Sequence, residues 1–493
     1  MINREECVDE KEVRVWSWGA GTYGQLAVGS VHDALLPQPV PTLGHHGVSL
    51  IACGGAHAAA ITDKCDVVTW GRGSGGALGH GDIATIPFPK IVHSLQGKKI
   101  RYVAAGWNHT AFIAENGKIF TCGDGAFGQL GHGDLKSCST PRMIIELSLQ
   151  TVSFVACGMR HTLALVIGGE TSTVFSFGSS KCGQLGIAPS TTNVTALQPL
   201  AKKSQKECIP KQIHKLIKDN VSCIAANGDH SAAITDSGSL YLWGKGYAGD
   251  PDIFLPSLVA GNLSFCQVAL SWSQGLGLSR DGELLTWGSS KCSQSGLESR
   301  IQGAVSYDPS LTNPDFTYPE ENQTRGIINQ NKVFFIGGTS GVNLTSEASS
   351  HNDDGWVRHV GNSEEQSLNL SCLKKNDISL DDRYSVNAQS NSARPRIWRV
   401  QGLEGIKVVQ IAAGAEHFAL VSDFGAVMTW GWGEHGQLGF GTDNDQGFPH
   451  EVCFDGSPNH AKSACSIRVC CGSGFMFTIK EYHIHRCLRL EGI

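Results

Sequence analysis

Histidine, the side chain best suited to proton transfer and metal binding near neutral pH, recurs at His57, His109, His161, His230 and His417, with Gln274 once in the same place. Equivalent histidines that return once per repeat are spread around a fold instead of converging on one ion, so packing and turn hydrogen bonding is the role this pattern supports. His483, His485 and Cys487 are of metal-ligating types, but the seventeen cysteines form no C-x-x-C pair, and no metal site is expected. Gly-x-Ser-x-Gly, His-Glu-x-x-His and the phosphate-binding G-x-x-x-x-G-K-S/T do not occur, so neither catalytic residues nor a cofactor is expected. The chemistry left is recognition. Immediately before each histidine or its substitute stand Ala56, Asn108, Arg160, Asp229, Ser273, Glu416 and Gly474, and one place further back stand Trp107, Met159 and Trp272. These positions vary while their surroundings repeat, as expected where a rigid scaffold presents side chains to a partner. Trp107, Asn108, Arg160, Asp229, Trp272 and Glu416 are the expected partner-binding residues.

The elements that must position them are legible from a second recurrence. Trp-Gly, or a Cys or Phe variant, falls at Trp18, Trp70, Cys122, Phe177, Trp243, Trp287 and Trp430. The histidine place precedes it by 13 residues in five of six cases, and by 16 from His161 to Phe177, where a longer hairpin around Gly168-Gly169 is expected. Between the two lie turn sequences such as Glu115-Asn116-Gly117 and Asp423-Phe424-Gly425, flanked by β-branched and aromatic strand residues. After Trp-Gly comes a glycine-rich stretch, as in GQLGHGD from Gly128, and then a proline-led strand. Trp70 to Pro89, Cys122 to Pro141 and Trp430 to Pro449 are each 19 residues. A unit of four short strands repeated in this way predicts an all-β, seven-bladed propeller. The first Trp-Gly has no histidine strand before it, and GSGFMFTIK near the end has no Trp-Gly after it. Pairing of the N- and C-terminal strands therefore closes the ring and removes two exposed edges.

From Trp287 to Pro395 the interval is 108 residues, so about 89 are inserted. The segment 302–393 is polar, Asn- and Ser-rich and aperiodic, and is expected to be a flexible insertion within one blade. It separates a first group of blades, 1–301, from the remaining blades and the closure, 394–493. A smaller excursion over 198–220 carries Lys202, Lys203, Lys206, Lys211, Lys215 and Lys218 and reads as a solvated loop.

Composition narrows the class. The 493 residues are 41% hydrophobic and 17% charged, too apolar for a disordered chain. The 60 glycines follow no G-X-Y period, so they belong to turns. A net charge of −6 leaves no global field for nucleic acid or anionic lipid, and sequence-specific nucleic-acid binding is not expected. No run of about eighteen apolar residues suggests membrane insertion, and the charged start lacks a secretory core. An intracellular protein, in cytoplasm or nucleus, is the expectation.

Trp-Gly, G-Q-L-G and the Gly-x-x-His strand opener together resemble the repeat of the regulator of chromosome condensation family, over nearly the whole chain outside 302–393. The strings VWSWGAGTYGQL, AGWNHTAFIAENGKIFTCG and WGWGEHGQLG look most like its secretion-regulating guanine nucleotide exchange factors. The resemblance implies a seven-bladed propeller that binds a protein partner, with a small GTPase as substrate of nucleotide exchange, or else a noncatalytic scaffold, including one for histones or chromatin. The family's Ran exchanger places carboxylates before the histidine in more than one blade, and Asp229, with Glu416 as a looser parallel, matches by type. The family's ultraviolet-B photoreceptor repeats Gly-Trp-Arg-His-Thr. Here Gly106-Trp107-Asn108-His109-Thr110 lacks the arginine and Gly158-Met159-Arg160-His161-Thr162 lacks the tryptophan, so light sensing is not expected.

Overall fold

The structure is a computed structural model that describes residues 5–168, 171–188, 206–247, 249–259, 263–288, 397–454 and 466–489, with side chains described between 11 and 482. The insertion 302–393, Lys202 and Lys203 lie outside these residues, as do the side chains of His483, His485 and Cys487.

Among the described residues there are seven four-stranded antiparallel sheets. Blade 1 consists of Leu50–Cys53, His57–Ile61, Val67–Gly71 and Ile86–Ile91, in that spatial order. Blades 2, 3, 4 and 6 repeat this order over 100–143, 152–212, 221–258 and 408–451. Blade 5 takes three strands from 265–288 and its fourth from Ile397–Arg399, so the chain returns to the same sheet after the insertion. In blade 7, Ser466–Cys471 and Phe475–Arg489 from the C-terminal end lie beside Glu5–Gly19 and Ala34–Pro39 from the N-terminal end. The first strands of successive blades touch in an unbroken cycle, blade 7 returning to blade 1, so they are innermost and the ring is closed as the half-repeats predict.

Two local expectations change. The long interval after His161 is taken up by lengthening the strands themselves, His161–Gly168 and Thr171–Ser179, whose register continues out to Gly168↔Thr171. The basic stretch after 205 is not a loop: Lys206–Gln212 is the fourth strand of blade 3 and pairs with Thr171–Ser179. Ile209-Pro210 marks that strand just as Phe88-Pro89 marks its counterpart in blade 1, a signal the lysines obscured.

The core lies between blades, because each sheet buries both faces against its neighbours. Trp70 of blade 1 packs with Phe475, Phe477 and Val15 of blade 7, and Trp18 of blade 7 with Ala419, Val427 and Val452 of blade 6. The glycine after each tryptophan, or after the Cys or Phe that replaces it, is required by close approach. Gly123 has φ +114° and stands so near the preceding strand that a Cβ would lie 2.4 Å from the Asn108 carbonyl oxygen. Among the described residues, helix is confined to Pro41–His45 and single 3₁₀ turns. No helix among the described residues is long and apolar enough to cross a membrane.

Candidate partner-binding face

In an antiparallel blade, the turn from first to second strand and the loop from third to fourth emerge at the same end. All the residues before the histidines, together with the glycine-rich loops, therefore share one face of the disc. The turns there are tied in sequence around the central axis. Backbone N–H groups of Gly55, Trp107 and Met159 donate to the carbonyls of Gly106, Gly158 and Gly228, and those of Trp272, Ala415 and Ser473 donate to Ala415, Ser473 and Gly54. The one remaining step, from blade 4 to blade 5, is bridged by His230 Nε2 to the Trp272 carbonyl at 3.0 Å. Gly106 is needed for this closeness, since a Cβ there would meet its own His109 ring at 2.3 Å and the Gly158 oxygen at 2.6 Å.

Four of the five histidines, His57, His109, His161 and His230, latch neighbouring blades, whereas both ring nitrogens of His417 are buried without a hydrogen-bond partner among the described residues. His57 Nε2 lies 2.9 Å from Thr110 Oγ1, His109 Nε2 lies 2.9 Å from Thr162 Oγ1, and His161 Nε2 lies 2.8 Å from Ser231 Oγ. Each of these hydroxyls spends its single proton on a loop carbonyl, of Ala77, Gln129 or Gln184, so the imidazole must be the donor. Burial holds His57, His161 and His417 down to a pKa of about 3, and His109 and His230 to about 4, which keeps all five neutral. Tryptophan completes the latch: the indole N–H groups of Trp18, Trp70 and Trp243 donate to the carbonyls of Gln437, Gln25 and Gln184 in the preceding blade.

The residue before the histidine is fixed by its backbone while its side chain is left to vary. The carbonyls of Ala56, Asn108, Arg160, Asp229 and Glu416 accept from the N–H groups of Arg72, Asp124, Ser179, Lys245 and Trp432 at 2.8–2.9 Å. This pairing sets a second variable row beside the first. Its members follow Trp-Gly or its Cys or Phe variant in every case, a signal present in the sequence that the reading of the histidine strands missed.

Of the expected residues, the structure brings Trp107 and Trp272 together: their ring centroids are 6.5 Å apart at 36°, although they belong to blades 2 and 5. Each indole lies over a glycine turn of a neighbouring blade, Trp107 over Gly55 and Trp272 over Gly228. Both remain partly exposed. The pair spans the mouth of the central channel.

Arg160 and Asp229 are also neighbours. Asp229 Oδ1 accepts from Gln184 Nε2 at 2.9 Å, within the field of Arg160, Lys245 and Lys181. Burial outweighs those cations and raises the carboxyl above its ordinary range. The Arg160 guanidinium sits 4.9 Å from the Phe127 ring centre, and Lys206 Nζ 5.1 Å from the same ring. Asn108 and Glu416 are half-buried at the same rank of blades 2 and 6. At the closing seam, His435 of blade 6 meets Asp33 of blade 7 at 3.0 Å, and Trp432 packs edge-on to His435. Among the described residues no cluster of three His, Cys, Asp or Glu side chains could hold a metal.

A ring latched blade to blade, with non-repeating side chains on one face, defines a closed seven-bladed propeller. The chain matches the RCC1-like domain over residues 14–478 and belongs to that family. It is 34% identical over 327 residues to the secretion-regulating guanine nucleotide exchange factor of Mus musculus, covering 62% of this chain and 68% of the relative. It is 31% identical over 301 residues to the ultraviolet-B receptor UVR8 of Arabidopsis thaliana, covering 58% and 63%. The matched stretch thus spans about two thirds of the length of these curated relatives. The crystal structure of Prp20p from Saccharomyces cerevisiae, described with its binding to Gsp1p and histones, superposes with a TM-score of 0.62 at 19% identity, covering 95% of this chain and 91% of that one. At that identity the likeness shows the fold.

Proposed function

We propose that the protein is a regulator that binds a protein partner through the channel-mouth face, and that the partner is a small GTPase whose nucleotide exchange it accelerates. The observation that carries this reading is the Trp107–Trp272 pair. Two partly exposed indoles at the centre of a rigid face, with charged residues around them, have the make-up of an interface anchor. Similarity to an exchange factor supports the choice of partner. Exchange needs no general base and no covalent intermediate. The face must bind the nucleotide-free GTPase more tightly than the loaded form, and that difference in affinity drives release. Trp107 and Trp272 serve as the apolar anchor, with Asn108, Arg160, Asp229 and Glu416 setting orientation by charge and hydrogen bonding.

The test is release of a fluorescent guanine nucleotide from a panel of small GTPases. Acceleration that is lost on substituting Trp107 or Trp272 supports the proposal. No acceleration on any GTPase, alongside stable capture of another protein by the same face, leaves the noncatalytic scaffold. Histones are basic and the chain carries a net charge of −6, so they belong among the proteins offered for capture.

A further inference from the structure

Two arginines of the channel-mouth face rest on aromatic rings of the blade before them. The Arg72 guanidinium lies 4.9 Å from the centre of the Tyr23 ring, and that of Arg160 lies 4.9 Å from the centre of Phe127. Tyr23 and Phe127 hold the same place in their blades, five residues after Trp18 and Cys122, within the glycine-rich loop. Each loop is fixed in the same way: the backbone N–H of Tyr23 donates to Gln25 Oε1 and that of Phe127 to Gln129 Oε1, both at 2.8 Å. Blade 7 thus supplies a platform for blade 1, and blade 2 one for blade 3.

Among the described residues neither guanidinium forms an ion pair, and both side chains are partly exposed. Asp229 lies in the field of Arg160, but its Oδ1 accepts from Gln184 Nε2. Lys206 Nζ shares the Phe127 ring at 5.1 Å, yet it donates to the Ala126 carbonyl at 3.0 Å. The arginines have no such acceptor. An aromatic ring engages the flat face of a guanidinium and leaves the N–H groups along its edge for a carboxylate, which they bind bidentately. A side chain already held in this way also loses less freedom on binding. Between the two arginines, on the same face, stands blade 2 with Trp107 and Asn108.

We propose that Arg72 and Arg160 are carboxylate receptors, one on each side of blade 2, for acidic side chains on the surface of a protein partner. This rests on the reading that the channel-mouth face binds the partner, and it names the chemistry the partner presents there. Because blade 2 separates the arginines, each takes its own carboxylate. The net charge of −6 opposes a polyanion such as nucleic acid, whereas carboxylates set singly against two arginines meet local complementarity. Lysine could not substitute, since a point charge lacks the planar fork that both stacks and pairs. Tyr23 and Phe127 act through the arginines and are positioning residues.

The full-length protein is titrated with fluorescein-labelled decaglutamate, with decaglutamine as the uncharged control, and anisotropy is read at low and at physiological salt. Decaglutamate is expected to bind and decaglutamine not, with affinity falling as salt rises. Arg72→Gln and Arg160→Gln should each weaken decaglutamate about fivefold, and Arg72→Lys should stay weakened. Tyr23→Leu should weaken binding while Tyr23→Phe, which keeps the ring, restores it; a merely structural role would move the melting temperature instead. Unchanged binding in a folded Arg72→Gln/Arg160→Gln double variant overturns the proposal, and if that variant does not fold the single variants decide. Equal binding of decaglutamine overturns it too, as does displacement by equimolar inorganic phosphate, which would make the arginines phosphate sites. Nucleotide release from the GTPase panel is a separate readout. Loss of exchange with decaglutamate still bound through these arginines removes the GTPase and keeps the receptors, whereas exchange without decaglutamate binding does the reverse.

Discussion

Trp107 and Trp272, separated by 165 residues and three blades, meet with ring centroids 6.5 Å apart at the mouth of the central channel. Neither belongs to the repeated packing, since the tryptophans of the blade seams lie one strand further out and are wholly buried. The pair is thus surplus to the core. Trp107→Ala and Trp272→Ala should each weaken partner binding at least tenfold while shifting the denaturation midpoint little. Calorimetric titration with the captured partner, set beside urea unfolding, reads both. Equal losses of stability and affinity would show the pair to be core.

Asp229 has two separable tasks. One oxygen accepts from the Gln184 amide, and in the proposed function the charge engages the partner. Asp229→Asn keeps an acceptor for Gln184, whereas Asp229→Lys removes it and reverses the sign. Nucleotide release should slow at least tenfold in the lysine variant, the loss of a contact of about 1.4 kcal/mol or more. Asparagine should slow release less and leave the melting temperature nearly unchanged. If lysine leaves release untouched, Asp229 is a seam residue only.

Acid should unfold the ring steeply. The five buried histidines have folded pKa values of about 3 to 4 against an unfolded value near 6.5. Between those limits the unfolded chain takes up protons that the folded chain refuses, so stability falls as pH drops below about 6.5. Each such proton changes the unfolding equilibrium constant by up to tenfold per pH unit. The His435–Asp33 pair has the opposite sign for its histidine: the raised pKa adds stability below about 6.5 and loses it as pH rises through the folded value. One histidine against five leaves the acid loss dominant. Urea midpoints measured from pH 7.5 to pH 4.5 check this, and a flat profile would mean the histidines are hydrated.

Closure by the chain ends predicts that truncation acts on the whole molecule. Removing residues 1–18 deletes most of the third strand of blade 7 and the Trp18 indole that donates to Gln437 at 2.9 Å in blade 6. Removing 466–493 deletes its first two strands. Either truncation should lower the denaturation midpoint of the entire propeller and expose sheet edges that promote association. Retention of full-length stability by either one would contradict ring closure through blade 7.

The repeat was legible in the sequence because every blade solves the same packing problem. Trp-Gly needs a glycine where the third strand meets the opener of the second, Gly-x-x-His needs one where turns converge on the axis, and both recur at fixed spacing. Seven blades and closure by half-blades followed from that period alone. The variable places before the histidines were visible for the same reason, as exceptions within a constant frame. Tertiary structure decided what those exceptions meet. Trp107 finds Trp272 only because seven blades bring blade 2 opposite blade 5, and Gln184 reaches Asp229 only across a seam. The row after Trp-Gly, from Arg72 to Trp432, became part of the face through backbone hydrogen bonds between strands. Local spacing encodes what a strand or turn demands of its own residues. Which residues of distant strands come together is set by the geometry of the closed ring, which no single stretch of sequence contains.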